Sequence, residues 1–271
     1  MLKLVVPALM AFASAVSAPA GGAPPLEMWR LDCGSIKVAD LNLFSDTYAY
    51  VGREKTLTDS CYLIRHGGEY LLWDTGYPAE LAGRSETQGP FTATLKETLA
   101  AQLARIGVRP EQITYVGISH RHDDHTGQLP AFPKASLLIG AGDFETLKAR
   151  KSDRIAPWTS GGGKAVPVTG DKDVFGDGSV VMLDMPGHTE SHHSLLVRLP
   201  RTGAVLLSGD LYHFAENRQS AGVPSFNTSR SQTMASMARF EAMARNLRAK
   251  VIIQHEATDV AKLPAFPQSA Q

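Results

Sequence analysis

Ile113-Thr114-Tyr115-Val116-Gly117-Ile118-Ser119-His120-Arg121-His122-Asp123-Asp124-His125-Thr126-Gly127 is the stretch whose reading decides the fold. Its apolar half runs into a turn that packs three imidazoles and two carboxylates into positions 120–125. A buried strand followed at once by a ligand-rich turn is how a sheet presents metal ligands at its edge. His120 and His122 are two apart, so on an extended backbone they point to one side and can share an ion. Asp124 and His125 follow where the chain must turn, and neighbours there diverge enough to reach a second ion. Imidazole and carboxylate are ligands that zinc and its first-row neighbours accept. The competing reading, a polar loop with surface histidines, leaves this concentration of ligand types unexplained.

The 271 residues, 43% hydrophobic and 20% charged, suit one large domain and are neither disordered nor fibrous in composition. Lys plus Arg equals Asp plus Glu at 27 each, so no basic excess exists to hold a polyanion, which argues against a nucleic-acid partner. Residues 1–18 read as a secretory signal: Lys3 near the start, an apolar core from Leu4 to Val16, and small residues before a cleavage point near Ala18 or Ala20. The alternative is a retained anchor, but the run is short and rich in Ala and Ser, and no later stretch is long enough to span a membrane. Residues 19–25 read as a Pro/Ala/Gly lead-in and 26–271 as a single domain, placed in the periplasm or outside the cell. Two cysteines, Cys33 and Cys61, are too few for a disulfide framework. They either pair or serve as small buried hydrophobes. Nothing in the sequence sets an oligomeric state.

Outward from the central turn, the pattern predicts strands over Leu26–Ile36 and Val38–Phe44, then an aromatic-bearing loop from Ser45 to Thr58. Cys61–His66 and Glu69–Asp74 around Gly67-Gly68 predict a hairpin, with His66 exposed beside the turn. Asp74 either steadies the ligand turn by a hydrogen bond or caps its own turn. Leu95, Leu99, Leu103 and Ile106 predict a helix over Thr92–Ile106. Ala135–Ile139 reads as a strand, Asp143–Arg150 as a helix, and Lys151–Gly163 as a mobile segment whose Trp158 either lines a substrate entrance or packs over a core edge. The second half repeats the plan: strands at Gly178–Met185, Ser194–Leu199 and Ala204–Leu207, a helix over Ser231–Arg248 with Met234, Met237 and Phe240 on its core face, and a strand at Val251–Ile253. Strands followed by a helix, twice, imply two sheets packed face to face with helices outside.

Four segments therefore end at a strand edge with a ligand-type residue: the 120–125 turn, Pro186-Gly187-His188-Thr189, Ser208-Gly209-Asp210 and Gln254-His255. In this order, across nearly the whole mature chain, they resemble the metallo-β-lactamase superfamily, whose H-x-H-x-D-H signature is matched in full. The resemblance implies an α+β, four-layer αββα sandwich of two mixed sheets with outer helices. It implies two Zn2+ ions, or other first-row divalent metals, one held by His120, His122 and His188 and the other by Asp124, His125 and His255, with Asp210 bridging. Members that are β-lactamases lack the bridging Asp. Its presence moves the resemblance toward acyl-homoserine lactonases, organophosphate hydrolases and glyoxalase II-type thioesterases, and Leu31-Asp32-Cys33-Gly34, Asp210-Leu211-Tyr212-His213-Phe214 and Gln254-His255-Glu256 look most like exported lactonase-type members. Such lactonases commonly carry a catalytic Tyr three residues after the bridging Asp. Here that place is His213, so either Tyr212 or His213 is the assisting residue. His192 and His193 read as supporting groups, one near the site and one facing solvent.

What the resemblance implies chemically is a hydrolase for lactone rings, acyl-homoserine lactones above all. Two ions about 3.5–4 Å apart bring the pKa of a shared water toward neutrality and polarise the carbonyl it attacks. Asp124 is then the candidate proton carrier to the leaving alkoxide. A β-lactamase, a phosphotriesterase or a thioesterase would use the same residues on another small molecule. An iron oxygenase would leave His125 and His255 idle, and a secreted, metal-stabilised binding protein would be expected to use a closed, often thiolate-rich cage.

Overall fold

The structure, a computed structural model, describes residues 24–271. The expected secretory signal and most of the lead-in lie outside the described residues. Eight strands form the first sheet: β1 (Leu26–Val38), β2 (Lys55–His66), β3 (Glu69–Trp73), β4 (Arg84–Gln88), β5 (Phe91–Leu95), β6 (Tyr115–Ile118), β7 (Ser136–Gly140) and β8 (Ala165–Val168). Their order is β4-β5-β1-β2-β3-β6-β7-β8, antiparallel up to β3 and parallel from there on. Five more make the second sheet, β9 (Lys172–Asp173), β10 (Val180–Asp184), β11 (His193–Leu199), β12 (Gly203–Leu207) and β13 (Lys250–Ile252), with only the β12/β13 pair parallel. Both sheets are mixed, as expected.

Period-2 alternation decides what each sheet buries. Tyr62 and Ile64 of β2, Leu71 and Trp73 of β3, and Leu138 of β7 face Met182, Leu195, Val197, Val205 and Leu207 across the interior. The opposite face of the first sheet, with Leu63, Leu72, Val116 and Leu137, is covered by α1 (Leu99–Arg105), α3 (Ala141–Ala149) and α4 (Ala156–Thr159), while a single turn, α2 (Asp123–Thr126), lies between β6 and β7 in the chain. The second sheet's outer face, with Leu183, Leu196 and Leu206, takes α6 (Arg230–Leu247) through Met237, Phe240 and Ala244, while α5 (Ala215–Ser220) ties its Asn217 to Phe44 and Tyr50 and α7 (Ala257–Val260) sends Val260 into the core between the sheets. The Met-bearing stripe of α6 is thus core packing. The result is the four-layer αββα sandwich.

Several local expectations are corrected. The chain does not resume as a strand after Val38; β1 runs unbroken to Val38, and Leu41–Phe44 is a 3-10 turn begun by Asp40, whose Oδ1 accepts the Asn42 N–H at 3.1 Å. The helix expected from Thr92 begins only at Leu99, capped by Thr98; residues 91–95 instead form β5, and the β4–β5 hairpin was not anticipated. Leu95 keeps helical spacing with Leu99 but is paired to Arg84 of β4, in a strand whose other residues also pair with β1, so tertiary pairing overrides the local period. Lys151–Gly163 is not a bare loop: it holds a 3-10 turn and α4, and Trp158 packs over the core edge with its indole N–H donated to the Ala135 carbonyl at 2.8 Å. It lines no substrate entrance. His66 is not simply exposed; it stacks on Phe175 and meets Asp177 Oδ2 at 2.7 Å.

Cys33 and Cys61 pair as a disulfide across β1 and β2. Closing a loop of this size is worth about 3–4 kcal/mol of stability. The bond lies under the turn after β3: a Cβ on Gly76 would stand 2.7 Å from Cys33 Sγ, and one on Gly127 would stand 2.4 Å from the Gly76 carbonyl oxygen. Only glycine allows disulfide, turn and ligand helix to stack this closely. No helix among the described residues is long and apolar enough to cross a membrane.

Candidate metal centre

All the expected ligands meet at one end of the sandwich. β6 stops at Ile118, and the Ser119 N–H is taken by Asp74 Oδ1 at 2.7 Å, so the chain leaves the sheet with His120 pointing inward. His122 then begins the single turn α2, which Thr126 closes by donating its hydroxyl to the His122 carbonyl at 2.9 Å. That turn carries Asp124 and His125 round to a second group, although the His120 and His125 rings stay 4.1 Å apart. His188 follows β10, and its Nδ1 lies 2.9 Å from Asn227 Oδ1. Asp210 sits in the 3-10 turn after β12, where its N–H is donated to His192 Nε2 at 2.9 Å. His255 follows β13, its Nδ1 2.8 Å from the Thr58 carbonyl.

Two clusters result: His120, His122, His188 and Asp210, and Asp124, His125 and His255. In the first, His122 Nδ1 is 2.9 Å from His120 Nε2, and His188 Nε2 is 3.2 and 3.0 Å from those two atoms. In the second, His125 Nε2 and Asp124 Oδ1 are 3.8 Å apart, and His255 Nε2 and Asp124 Oδ2 are 3.9 Å apart. Asp210 spans both. Its Oδ2 lies 3.3 Å from His188 Nε2, while its Oδ1 lies 3.2 Å from His125 Nε2 and 3.0 Å from His255 Nε2.

Three imidazole nitrogens converging within hydrogen-bond distance cannot all satisfy one another with protons, but they suit a common cation. His125 Nε2 and Asp210 Oδ1 are buried without a hydrogen-bond partner, and both point into the second cluster. A buried polar atom left this way costs about 1–3 kcal/mol. These residues therefore fit a pair of divalent ions, each with imidazole and carboxylate donors and with Asp210 between them.

Electrostatics separates the clusters. Burial, aided by neighbouring rings, pushes His120 and His188 well below the usual imidazole range and keeps them neutral, the form that binds metal. Burial also acts on His125 and His255, but carboxylates win there: Asp210 above all lifts His255 to about 9 and raises His125 strongly. Burial opposes charge on Asp210, yet the rings of His255, His125, His213 and His120 hold its carboxyl well below the ordinary range. Asp59, buried and without a hydrogen-bond partner on either oxygen, is raised well above it by burial.

The residues in doubt separate cleanly. His213 reaches the site, with Nε2 3.1 Å from Asp210 Oδ2 and its ring edge-on to Phe44. Tyr212 does not; it turns into the second sheet's outer core beside Phe240 and donates its hydroxyl to Glu241 Oε1 at 3.2 Å. His192 supports the site by accepting the Asp210 N–H. His193 does not face solvent but is buried, its ring nitrogens against the Ser191 and Gly170 carbonyls. Asp74 steadies the turn rather than only its own loop: besides the Ser119 bond, its Oδ2 accepts from His125 Nδ1 at 2.9 Å.

Sequence reasoning gave no role to Asn227, Gln254, Asp59 or the Arg121–Asp143 pair. Arg121 donates to Asp143 Oδ1 at 2.6 Å and Thr189 donates to Asp143 Oδ2 at 2.7 Å, which ties the 120–125 turn to the His188 loop through a buried carboxylate. The available signal was polarity in the wrong place, as with Asp59 and Gln254 inside apolar strand patterns.

The centre opens into a cavity of about 700 Å³. Leu43, Phe44, Leu57, Phe91 and Phe226 give it apolar walls, and Asp124, His213 and His255 stand at its inner end. One wall is the β4–β5 hairpin.

Residues 57–255 match the metallo-beta-lactamase superfamily. The N-acyl homoserine lactonase AttM of Azorhizobium caulinodans is 26% identical over 255 residues, covering 85% of this chain and 93% of that protein. The AttM lactonase of Agrobacterium fabrum is 30% identical, over 76% and 85% of the two chains. A solved N-acyl homoserine lactone hydrolase with its product, N-hexanoyl-L-homoserine, at the catalytic metal centre superposes with a TM-score of 0.78 at 21% identity, over 91% of this chain and all of that one.

Proposed function

The chain belongs to the metallo-beta-lactamase superfamily, and from that premise we propose that it hydrolyses the ring ester of N-acyl homoserine lactones at a two-metal centre, with zinc as the metal. The observation that carries the reading is Asp210, shared by two ligand clusters at the inner end of a cavity with apolar walls. The curated relatives, N-acyl homoserine lactonases matched over 93% and 85% of their length, support the substrate class.

Bound there, two divalent ions would supply a nucleophile from water at neutral pH and Lewis-acid polarisation of the carbonyl. His120, His122 and His188 would hold one, Asp124, His125 and His255 the other, and Asp210 both. The apolar walls receive the acyl chain and leave the lactone ring over the centre, excluding bulk water from it. His213, beside Asp210, is the donor placed to support charge that develops on the carbonyl oxygen. As the ring C–O bond breaks, Asp124, whose side chain is 19% exposed toward the cavity, carries a proton to the leaving alkoxide. One water is consumed, and the acyl-homoserine carboxylic acid is formed.

Acid release measured by pH-stat on acyl-homoserine lactones of several chain lengths, with zinc-loaded and chelator-stripped protein side by side, tests this. Metal-dependent release that varies with chain length is expected. Inactivity toward every lactone in protein confirmed to hold two ions would sink it, and a phosphotriester, a thioester and a β-lactam in the same series would show where the activity lies. Export to the periplasm or beyond belongs to the same proposal, supported by the apolar Leu4–Val16 stretch and by the Cys33–Cys61 bond, since such bonds persist in oxidising compartments. Fractionation with mass measurement of the mature chain checks it; full-length protein in the cytosol would refute it.

A further inference from the structure

Gln254 precedes the ligand His255, is wholly buried, and uses every hydrogen-bonding position of its amide. Its Oε1 accepts the Trp73 indole N–H at 3.0 Å and the Gly209 N–H at 3.1 Å. Its Nε2 donates to the Ser60 carbonyl at 3.1 Å and to Asp74 Oδ2 at 2.9 Å. An indole N–H and a backbone N–H can only donate, so the amide oxygen must face them and the amide nitrogen must face Asp74. The orientation is fixed without ambiguity.

That has a consequence for the metal centre. Asp74 Oδ1 is taken by the Ser119 N–H, and Oδ2 receives both Gln254 and His125 Nδ1. Facing Gln254 Nε2–H, Oδ2 is held as an acceptor, so His125 must carry its proton on Nδ1 and present a bare Nε2 to the second cluster. The same amide holds the Gly209 N–H, one residue before the bridging Asp210, and Gln254 is itself joined to His255. Three of the four ligand-bearing segments are therefore keyed by one side chain.

We propose that Gln254 is the positioning residue of the Asp124/His125/His255 half-site, setting the tautomer of His125 through Asp74 and the placement of Asp210 through Gly209. This rests on the two-metal reading. The first half-site has orienters of its own, Ser119 and Asn227, and Gln254 reaches it only at second hand, through Asp210 and through the Asp74–Ser119 bond.

The test is a zinc titration of metal-stripped wild type and of Gln254→Met, a near-isostere without the amide, with bound metal counted by elemental analysis and folding followed by thermal melting. Wild type is expected to bind two ions. Gln254→Met should weaken the second ion about 10–100-fold and the first by a smaller factor. A general structural lesion would weaken both ions alike, and a folded variant that binds both as wild type does overturns the assignment. Wild type that never holds two ions removes the two-metal reading itself, a separate failure. Should Gln254→Met not fold, nuclear magnetic resonance of the wild-type zinc enzyme decides. Slowly exchanging Gln254 amide protons and a proton on His125 Nδ1 are expected, and a rapidly exchanging amide or an Nε2–H tautomer overturns the proposal.

Discussion

The two half-sites share Asp210 but are built on different principles. His120, His122 and His188 form a tight group of neutral rings, their nitrogens 2.9–3.2 Å apart, oriented by the Ser119 hydroxyl and the Asn227 amide. Asp124, His125 and His255 are spread around Asp210 Oδ1, oriented by a carboxylate, the same Ser119 hydroxyl and a backbone carbonyl, and surrounded by negative charge. In the first, burial dominates and the rings stay neutral, so a cation supplies the charge that holds the group together. In the second, the carboxylates of Asp210, Asp124 and Asp74 already draw positive charge onto the rings. The first is a preformed cage that meets the cavity only at His122; the second competes with protons for its ion and meets the cavity at Asp124 and His255.

Asp210→Ala should erase the difference, because it removes the donor common to both groups. The metal contribution of several kcal/mol corresponds to a fall in kcat/KM of about 10³-fold or more. Metal analysis should show both ions weakened; a variant that keeps two tightly bound ions would mean Asp210 is no bridge. Single-ligand variants should then split the pair. His188→Ala loses the cage ion and His255→Ala loses the cavity-side ion, each retaining about one per chain and turning over too slowly to use as an enzyme. In wild type, lowering the pH should release the cavity-side ion first, since the rings of His125 and His255 gain protons more readily than those of His120 and His188. Release of the cage ion first would reverse the contrast.

The supporting shell gives a finer measure. Asp74→Asn replaces the acceptor of His125 and should weaken the second ion about 10–100-fold. Asn227→Ala removes one neutral orienter from a ring already held by its neighbours, and the loss at the first ion should be smaller. Equal losses, measured by competition with a chelator, would show that orienter charge is irrelevant here.

How much of this was readable in the sequence follows the same division. The 120–125 turn was legible because all its ligands lie within one strand-to-turn transition, and strands followed by a helix in each half implied two packed sheets, which the family resemblance made a four-layer sandwich. His188, Asp210 and His255 were legible only as strand-end residues, and their convergence needed the family resemblance. What stayed hidden were the orienters. Asn227 reaches His188 across 39 residues and Gln254 reaches Asp74 across 180, and no local period encodes such a contact. The β4–β5 hairpin was masked because Leu95 fits a helical repeat with Leu99 and Leu103. Tyr212 and His213 could not be ranked, since which side chain faces the centre depends on the extended backbone at Tyr212 after the 3-10 turn that carries Asp210.

That last pair gives the smallest expected effects and the sharpest control on what the bridge segment does. His213→Phe should keep both ions, because the ring is not needed to fill either cluster, while kcat falls about 10²-fold, the scale of a lost proton donor or acceptor. Tyr212→Phe should leave turnover unchanged, since its hydroxyl is spent on Glu241 outside the site. Its cost is in stability, about 1 kcal/mol for one partly buried hydrogen bond. Arg218 donates to both Glu241 oxygens, at 2.7 and 3.0 Å, and these bonds, with help from Tyr212, hold the Glu241 carboxyl below its usual range. A depressed folded-state pKa contributes stability that is full above the unfolded carboxyl pKa and is lost as pH falls through the folded one. The melting curves of wild type and Tyr212→Phe should therefore differ at neutral pH and converge in acid, where Glu241 is protonated and the hydroxyl loses its charged acceptor. A Tyr212→Phe enzyme that keeps two ions and its melting temperature but loses turnover would place Tyr212, not His213, beside the substrate.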